Sequence, residues 1–191
     1  MKKLLIVVII LLCSIKNVYA SEKIEVKFSK CVDGDTAYFI LNNEEIKTRF
    51  LAIDTPESTT SIEPYGKEAS EFTCNQIKNA RKIEIEYDDN SDIKDKYNRD
   101  LVWVFVDDYL LQDLLIKNGL AEVAYLYGNY KYTDTLKDHQ EIAKANKINI
   151  WNDLKKSNVD YIYLASILVI IIVSYFSKKI IRKFKRKLKR K

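Results

Sequence analysis

Hydrophobic and polar residues alternate along five short segments of the chain, residues 23–32, 36–42, 45–53, 82–88 and 100–107. Alternation with a period of two buries one face of an extended chain, so each segment is predicted to be a β-strand. Three further segments are helical in composition, residues 65–80, 110–123 and 133–148, and the second helix is predicted to end near Gly119. This order predicts an α+β domain that is mainly a β-barrel, five strands with three helices packed on them. It is compatible with an OB-like barrel and leaves other α+β folds open.

Hydrophobic and polar residues do not alternate in the N-terminal segment. Residues 1–20 have a basic start, an apolar run from Leu4 to Leu12 and a small residue at Ala20. This pattern predicts a secretory signal peptide that is cleaved after Ala20. An uncleaved anchor is the alternative, but the run is short for a membrane span. Cleavage as a lipoprotein at Cys13 is disfavoured, because the bulky Leu12 precedes it.

A second apolar run lies near the C-terminus. Residues 161–177 are almost entirely apolar and are followed by residues 178–191, with ten Lys and Arg and no acid. The apolar run proper, residues 161–176, has sixteen residues and as a helix reaches roughly 24 Å, so flanking side chains must extend the predicted transmembrane helix. A buried core helix is the alternative, but no sequence remains to cover one that is apolar all round. The basic flank predicts a cytoplasmic tail lying against membrane lipids, with the preceding domain outside the cell membrane.

These two runs define the predicted domain organisation. The central domain is assigned to residues 21–155, and residues 156–160 form a short linker. The formal net charge of +5 comes from the two ends of the chain. Only 19 of the 32 basic residues lie between residues 21 and 158, against 26 of the 27 acids, which leaves this part at −7. Binding of a polyanion must therefore come from a local cluster of cations or from a metal.

Candidate chemistry lies at the strand ends. Asp33 and Asp35 flank Gly34, a common turn signal. Asp35 and Asp54 lie on neighbouring predicted strands, where two carboxylates can share a hard cation such as Ca²⁺ or Mg²⁺. Taken alone, each of these acids has an ordinary structural explanation.

Cations accompany these acids. Arg49 precedes Asp54 on the same strand, and Lys96, Tyr97 and Arg99 lie before the last strand. A metal with two arginines is typical of a phosphate site, in which Glu57 could orient or deprotonate an attacking water. Surface ion pairs are the alternative interpretation.

The remaining cysteines and the histidine give weaker signals. Export permits a disulfide between Cys31 and Cys74, but one is on a predicted strand and the other on a predicted helix, and the preferred prediction is two free thiols. His139 lies among polar residues and is predicted to be a solvated surface residue. Trp103 is predicted to pack in the core.

Six motifs occur in order over about residues 24–151: VDGDT, RFLAIDTPE, YGKEASEFT, DKYNR, NGLAEVAYLY and INIW. In these motifs the chain closely resembles the staphylococcal nuclease (thermonuclease) family. The resemblance implies an OB-fold barrel with three helices. It also implies a Ca²⁺-dependent phosphodiesterase that acts on DNA and RNA and leaves 3′-phosphates.

The resemblance also assigns roles to single residues. It implies that Asp35, Asp54 and the carbonyl of Thr55 bind Ca²⁺. It implies that Arg49 and Arg99 bind the phosphate and that Glu57 is the general base. Nucleotide binding would fall to Lys96, Tyr97, Tyr125 and Tyr127, whose rings can stack on bases without reading sequence.

Two departures from the family pattern bear on these roles. Asn98 stands where the family usually has Gly, and Asn tolerates a positive φ better than other residues. The loop after Glu57 is shorter and less basic, which predicts weaker and more salt-sensitive binding.

Three hypotheses follow. The first is a monomeric nuclease tethered to the outer face of the cell membrane. The second is a catalytically silent module that binds nucleic acid or a protein partner. The third is a surface adhesin that uses the fold as a spacer. Presence of every candidate metal, phosphate and base position favours the first.

Overall fold

The computed structural model describes residues 22–59, 61–152, 163–175 and 177. The predicted signal peptide, linker and polybasic tail lie outside the described residues, so these three assignments stay predictions. The boundaries of the central domain also stay predictions.

The described chain contains nine strands and three α-helices between residues 22 and 152. The strands are β1 (Ile24–Glu25), β2 (Lys27–Asp33), β3 (Thr36–Leu41), β4 (Glu44–Phe50), β5 (Ile53–Asp54), β6 (Ile83–Glu86), β7 (Asp100–Val106), β8 (Tyr109–Leu110) and β9 (Glu122–Val123). The helices are α1 (Gly66–Asn79), α2 (Leu111–Lys117) and α3 (Thr133–Ala145), followed by a 3₁₀ turn at Asn149–Trp151. All five predicted strands and all three helices are confirmed. The two-residue strands β5, β8 and β9 were not predicted.

The main sheet is mixed and closes into a barrel. Its strand order is β1, β6, β7, β4, β3, β2, with β4 and β7 parallel and the other pairs antiparallel. β1 and β2 are one extended segment interrupted at the buried Val26, whose N–H donates to the carbonyl of Ile83 at 3.0 Å. This segment pairs with β6 at its start and with β3 along its length, so it joins the two edges of the sheet. The result is the predicted OB-fold-like α+β domain.

Two tight turns follow from their residue types. Asn42 and Asn43 connect β3 to β4, and Asp107 and Asp108 connect β7 to β8, all four with positive φ. Two consecutive positive φ values define the type I′ turn, which matches the twist of a hairpin. Asn and Asp are the non-glycine residues that best tolerate this conformation.

The core lies inside the barrel and beneath the helices. Phe39, Phe50, Ile85 and Leu115 are fully buried. Trp103 is buried with them, as predicted, and its ring meets Tyr132 edge to face at 5.1 Å between centroids. The barrel therefore provides a rigid platform for the loops at its ends.

The prediction of two free thiols is wrong. Cys31 of β2 and Cys74 of α1 form a disulfide, with their Cα atoms 5.8 Å apart although they are 43 positions apart in sequence. The reason is tertiary, because α1 packs against β2. Strand and helix periodicity contains no information about which faces meet.

The prediction that His139 is a solvated surface residue is also wrong. A ring nitrogen of His139 hydrogen-bonds the carboxylate of Asp113, and the His139 side chain is largely covered. Asp113 also pairs with Lys117 at 2.7 Å. The contact arises because α3 packs on α2, which its polar sequence does not reveal.

Residues 163–175 form a helix of exposed, mostly apolar side chains. Within the part of the chain that the structure describes, no helix has the length and apolarity needed to cross a membrane. The predicted span also includes residues 161, 162 and 176, which lie outside the described residues.

Candidate active site

Nearly all of the predicted site residues line one open cleft of 810 Å³ beside the barrel. Nine of the ten lie there: Asp35, Arg49, Asp54, Glu57, Lys96, Tyr97, Arg99, Tyr125 and Tyr127. Thr55 lies next to the cleft, in a smaller depression that it shares with Asp54. Residues 92 positions apart in the chain thus meet at a single surface.

A sharp turn of the backbone after β4 brings Arg49 to Asp54. The strand ends at Phe50, and Ala52 adopts a positive φ of 61° before β5 begins. Arg49 Nη2 then donates to the carbonyl of Ile53 at 3.2 Å and to Asp54 Oδ1 at 2.9 Å. Its Nη1 forms an ion pair with Asp35. One guanidinium therefore faces both predicted metal-binding carboxylates.

Asp35 is held from several sides. Its Oδ1 accepts from the hydroxyl of Thr36 at 3.0 Å, and its Oδ2 accepts from the backbone N–H of Thr55 at 3.2 Å. The turn before it needs Gly34, because a Cβ there would lie 2.6 Å from the Thr55 hydroxyl oxygen. Gly34 therefore lets the β2–β3 turn approach the chain that carries Asp54 and Thr55.

Glu57 lies beside a second acid. Partial desolvation and a hydrogen bond shared with Asp33 raise the pKa of the Glu57 carboxyl above its ordinary value, as do the charges of Asp33, Asp54 and Glu63. Asp33 is buried and accepts from the Ser58 hydroxyl at 2.7 Å. A base with a raised pKa is stronger, which suits proton abstraction at near-neutral pH.

The loop that carries Glu57 is held to the start of α1. The N–H of Glu63 donates to the carbonyl of Glu57 at 2.9 Å, and the N–H of Glu57 donates to Glu63 Oε2 at 3.0 Å. A Cβ on Gly66 would lie 2.1 Å from the same Glu57 carbonyl oxygen. Only glycine fits there, so α1 fixes the position of the Glu57 backbone.

Arg99 is oriented by a residue that sequence reasoning missed. Its Nε donates to Asp95 Oδ2 at 2.7 Å, and its Nη2 lies 2.6 Å from the same oxygen. Desolvation alone would raise the pKa of Asp95, but hydrogen bonds from Arg99 and from the Tyr97 backbone lower it. Asn98 has the predicted positive φ, 61°. The acid four residues before Arg99 was the available signal.

The three predicted nucleotide-binding tyrosines are exposed at the rim of the cleft: Tyr97, Tyr125 and Tyr127. Pairing of β9 with β5 carries Tyr125 to Asp54, whose Oδ2 lies 3.4 Å from the tyrosine hydroxyl. The Asp54 charge and desolvation raise the pKa of Tyr125, partly opposed by Arg49. Lys96 lies 5.0 Å from the Tyr97 ring centroid.

The donor atoms around Asp35 and Asp54 decide whether the site can hold a hard divalent cation. Among the described residues no group of three His, Cys, Asp or Glu side chains converges as a metal cluster. Asp35 and Asp54 nevertheless converge on one cationic group, the Arg49 guanidinium. The buried hydroxyl oxygen of Thr55 has no hydrogen-bond partner. Two carboxylates and nearby carbonyl and hydroxyl oxygens are the donors that Ca²⁺ prefers, so the residues present fit it.

The sequence profile described as staphylococcal nuclease homologue matches residues 47–153, more than half of the chain. The chain belongs to the staphylococcal nuclease family. The matched region of this nuclease homologue contains Arg49, Asp54, Glu57 and Arg99, whereas Asp35 lies before it.

Named relatives agree with this assignment. The homologue is 39% identical over 135 residues to the SPbeta prophage-derived endonuclease YokF of Bacillus subtilis (strain 168), covering 69% of this chain and 45% of the relative. It is 38% identical over 133 residues to endonuclease YncB of the same organism, covering 68% and 62%. It is 35% identical over 130 residues to the thermonuclease of Staphylococcus hyicus, covering 66% and 75%. The chain therefore spans less than two thirds of the length of either Bacillus relative.

Proposed function

We propose that this protein is a sequence-nonspecific endonuclease that hydrolyses phosphodiester bonds of DNA and RNA to 3′-phosphate products with Ca²⁺. The observation that carries the proposal is the convergence of Arg49, Arg99 and Glu57 on one cleft that also contains Asp35 and Asp54. Two guanidinium groups and a carboxylate of raised pKa are suited to hydrolysis at phosphorus. The names of the endonuclease and thermonuclease relatives support the same reaction.

The side chains divide the work of the reaction. Glu57 takes a proton from water as the water oxygen forms its bond to phosphorus. The P–O5′ bond breaks, and the leaving oxygen takes up a proton to become a 5′-hydroxyl. Arg49 and Arg99 donate hydrogen bonds to the phosphate oxygens, where negative charge increases in the transition state.

Asp35, Asp54 and the carbonyl of Thr55 would hold the Ca²⁺. When bound, the cation supplies positive charge that stabilises the phosphate oxygens during attack. Arg49 contacts both carboxylates. Its guanidinium therefore lies beside the site where the Ca²⁺ and the substrate phosphate would bind. Asp95 also lines the cleft and holds the Arg99 guanidinium through its hydrogen bond with Arg99 Nε.

We also propose that the enzyme is a monomer tethered to the outer face of the cell membrane, with its tail in the cytoplasm. The support is the sequence order of signal-like segment, domain, apolar run and basic tail. The Cys31–Cys74 disulfide is typical of exported domains. Protease treatment of intact cells should remove the domain and leave a tail-containing fragment. A domain that resists protease until the cells are lysed would contradict this location.

The decisive experiment for the activity compares the full chain, purified in detergent, with its Glu57→Gln variant on single-stranded DNA, double-stranded DNA and RNA. We expect cleavage with Ca²⁺, none with chelator, and a loss of about 10²–10⁴-fold in kcat for the variant. Glu71→Gln, on the exposed face of α1, is the matched control. Folded wild-type protein that cuts no substrate would leave the silent binding module as the better account.

A further inference from the structure

Three side chains form a row on the outer face of the barrel beside the cleft. Lys30 of β2 is opposite Tyr38 of β3, and Tyr38 is opposite Lys47 of β4. Directly opposed residues in an antiparallel pair project to the same face. The Nζ atoms of Lys30 and Lys47 lie 4.1 and 5.7 Å from the centroid of the Tyr38 ring. Two ammonium groups thus contact one aromatic ring. We name these three side chains the Lys30–Tyr38–Lys47 row.

The row adjoins the candidate active site. Arg49 is opposite Thr36, exactly two residues along β4 and β3 from Lys47 and Tyr38. Residues two apart on a strand share a face and are about 7 Å apart along it. Lys47 also lines the same cleft as Arg49. A polynucleotide bound through one phosphate at Arg49 can therefore place a neighbouring phosphate at the row.

The two ammonium groups keep their charge available. Six other lysines pair with carboxylates: Lys67, Lys82, Lys94, Lys117, Lys131 and Lys144. Among the ion pairs between described residues, none includes Lys30 or Lys47. Glu45, the next residue of β4 on this face, accepts a hydrogen bond from Ser29. A ring attracts an ammonium group without neutralising it, so both lysines can still bind an anion.

We propose that the Lys30–Tyr38–Lys47 row is a phosphate subsite, which binds the backbone phosphate next to the one that is cleaved. The inference rests on the proposed nuclease function. It explains how a domain with net negative charge gains a local attraction for a polyanion. Across the cleft, Lys96 over Tyr97 repeats the same pairing of ammonium group and ring. The substrate is therefore gripped on both sides of Arg49.

The subsite predicts a dependence on substrate length. A dinucleoside monophosphate has a single phosphate, which occupies the Arg49 position and leaves the row empty. A 12-nucleotide single strand reaches both. The test compares these two substrates with the full chain and with a Lys30→Gln/Lys47→Gln variant. Lys78→Gln/Lys137→Gln is the control, because it also removes two positive charges, but from exposed positions on α1 and α3.

For the 12-mer we expect the row variant to raise KM about tenfold with kcat within about twofold, and the control to change neither. The slope of log(kcat/KM) against log[salt] should become shallower by about 1.4, because two contacts to a single strand are lost. For the dinucleoside monophosphate, the row variant should have the same KM as the wild-type protein. Tyr38→Leu should raise KM for the 12-mer, and Tyr38→Phe should retain the wild-type value.

Equal behaviour of the row variant and its control on the 12-mer would overturn the subsite. A KM increase for the dinucleoside monophosphate as well would also overturn it, since the effect would then lie at the Arg49 position. Binding of labelled 12-mer in chelator, followed by fluorescence anisotropy, makes the same comparison without cleavage. Failure of the wild-type protein to cleave either substrate would therefore reject the proposed function, while the anisotropy comparison would still decide the subsite.

Discussion

The guanidinium of Arg49 donates a hydrogen bond to Asp54 at 2.9 Å, although the two residues are five positions apart on what the sequence predicts as one strand. In a continuous strand such residues point to opposite faces and lie roughly 17 Å apart. The break at Leu51 and Ala52, with the positive φ of Ala52, turns the chain back and makes the contact. The cluster of charges in this segment therefore belongs to a site.

Even the conservative substitution Arg49→Lys should reduce catalysis strongly. Arg49→Lys keeps the charge but loses the two-donor fork that faces Asp35 and Asp54 and that we propose binds the phosphate. We expect kcat/KM to fall by about 10²–10³-fold, as for loss of one donor to the developing charge. Arg81→Lys, on an almost fully exposed side chain, is the control and should be neutral. Activity of Arg49→Lys within threefold of wild type would contradict the assigned role.

Asp33 should set the acid limb of the pH–rate profile. A general base must be deprotonated, so kcat/KM is lost as the pH falls through the pKa of Glu57, which is raised above its ordinary value. Asp33 contributes to that increase through its hydrogen bond and its charge. Asp33→Asn should therefore lower the pKa of Glu57 and shift the acid limb to lower pH. The profile is measured between pH 4 and 9, where no shift or an upward shift would contradict the coupling.

Tyr97 should contribute to binding without contributing to chemistry. Its ring is 68% exposed at the cleft, as is the ring of Tyr109 in the β7–β8 hairpin away from it. Loss of one stacking ring costs about 1–3 kcal/mol, so Tyr97→Leu should raise KM roughly 5- to 150-fold. Tyr109→Leu removes an equally exposed tyrosine and should leave KM unchanged. Equal effects of the two substitutions would mean that general surface changes explain the result.

The disulfide should be a large part of the stability of the domain. It closes a loop of 43 residues, for which the loss of unfolded-state entropy corresponds to about 4 kcal/mol at 25 °C. Urea unfolding of the oxidised protein should therefore have a clearly higher midpoint than that of the reduced protein. The Cys31→Ser/Cys74→Ser variant should have the same urea midpoint as the reduced protein. Coincident midpoints for the oxidised and reduced forms would refute this contribution.

The sequence by itself determined the secondary elements and most of the chemistry. Period-two alternation identified the five longer strands of the barrel, because one face of each of these strands is buried. The order of the elements and the six motifs identified the nuclease-like domain. Asn98 was predicted to accept a positive φ, and it has one. These features depend on local residue types, which a single chain displays directly.

Only the tertiary structure decided which of these residues meet. The packing of α1 on β2 joined Cys31 to Cys74, and the packing of α3 on α2 joined His139 to Asp113. Asp33 looked like a turn residue, yet the fold of the following loop places it beside Glu57. Local periodicity fixes which face of an element is buried, but the partner of that face depends on how distant segments pack. The pairing of distant side chains is therefore a property of the folded chain as a whole.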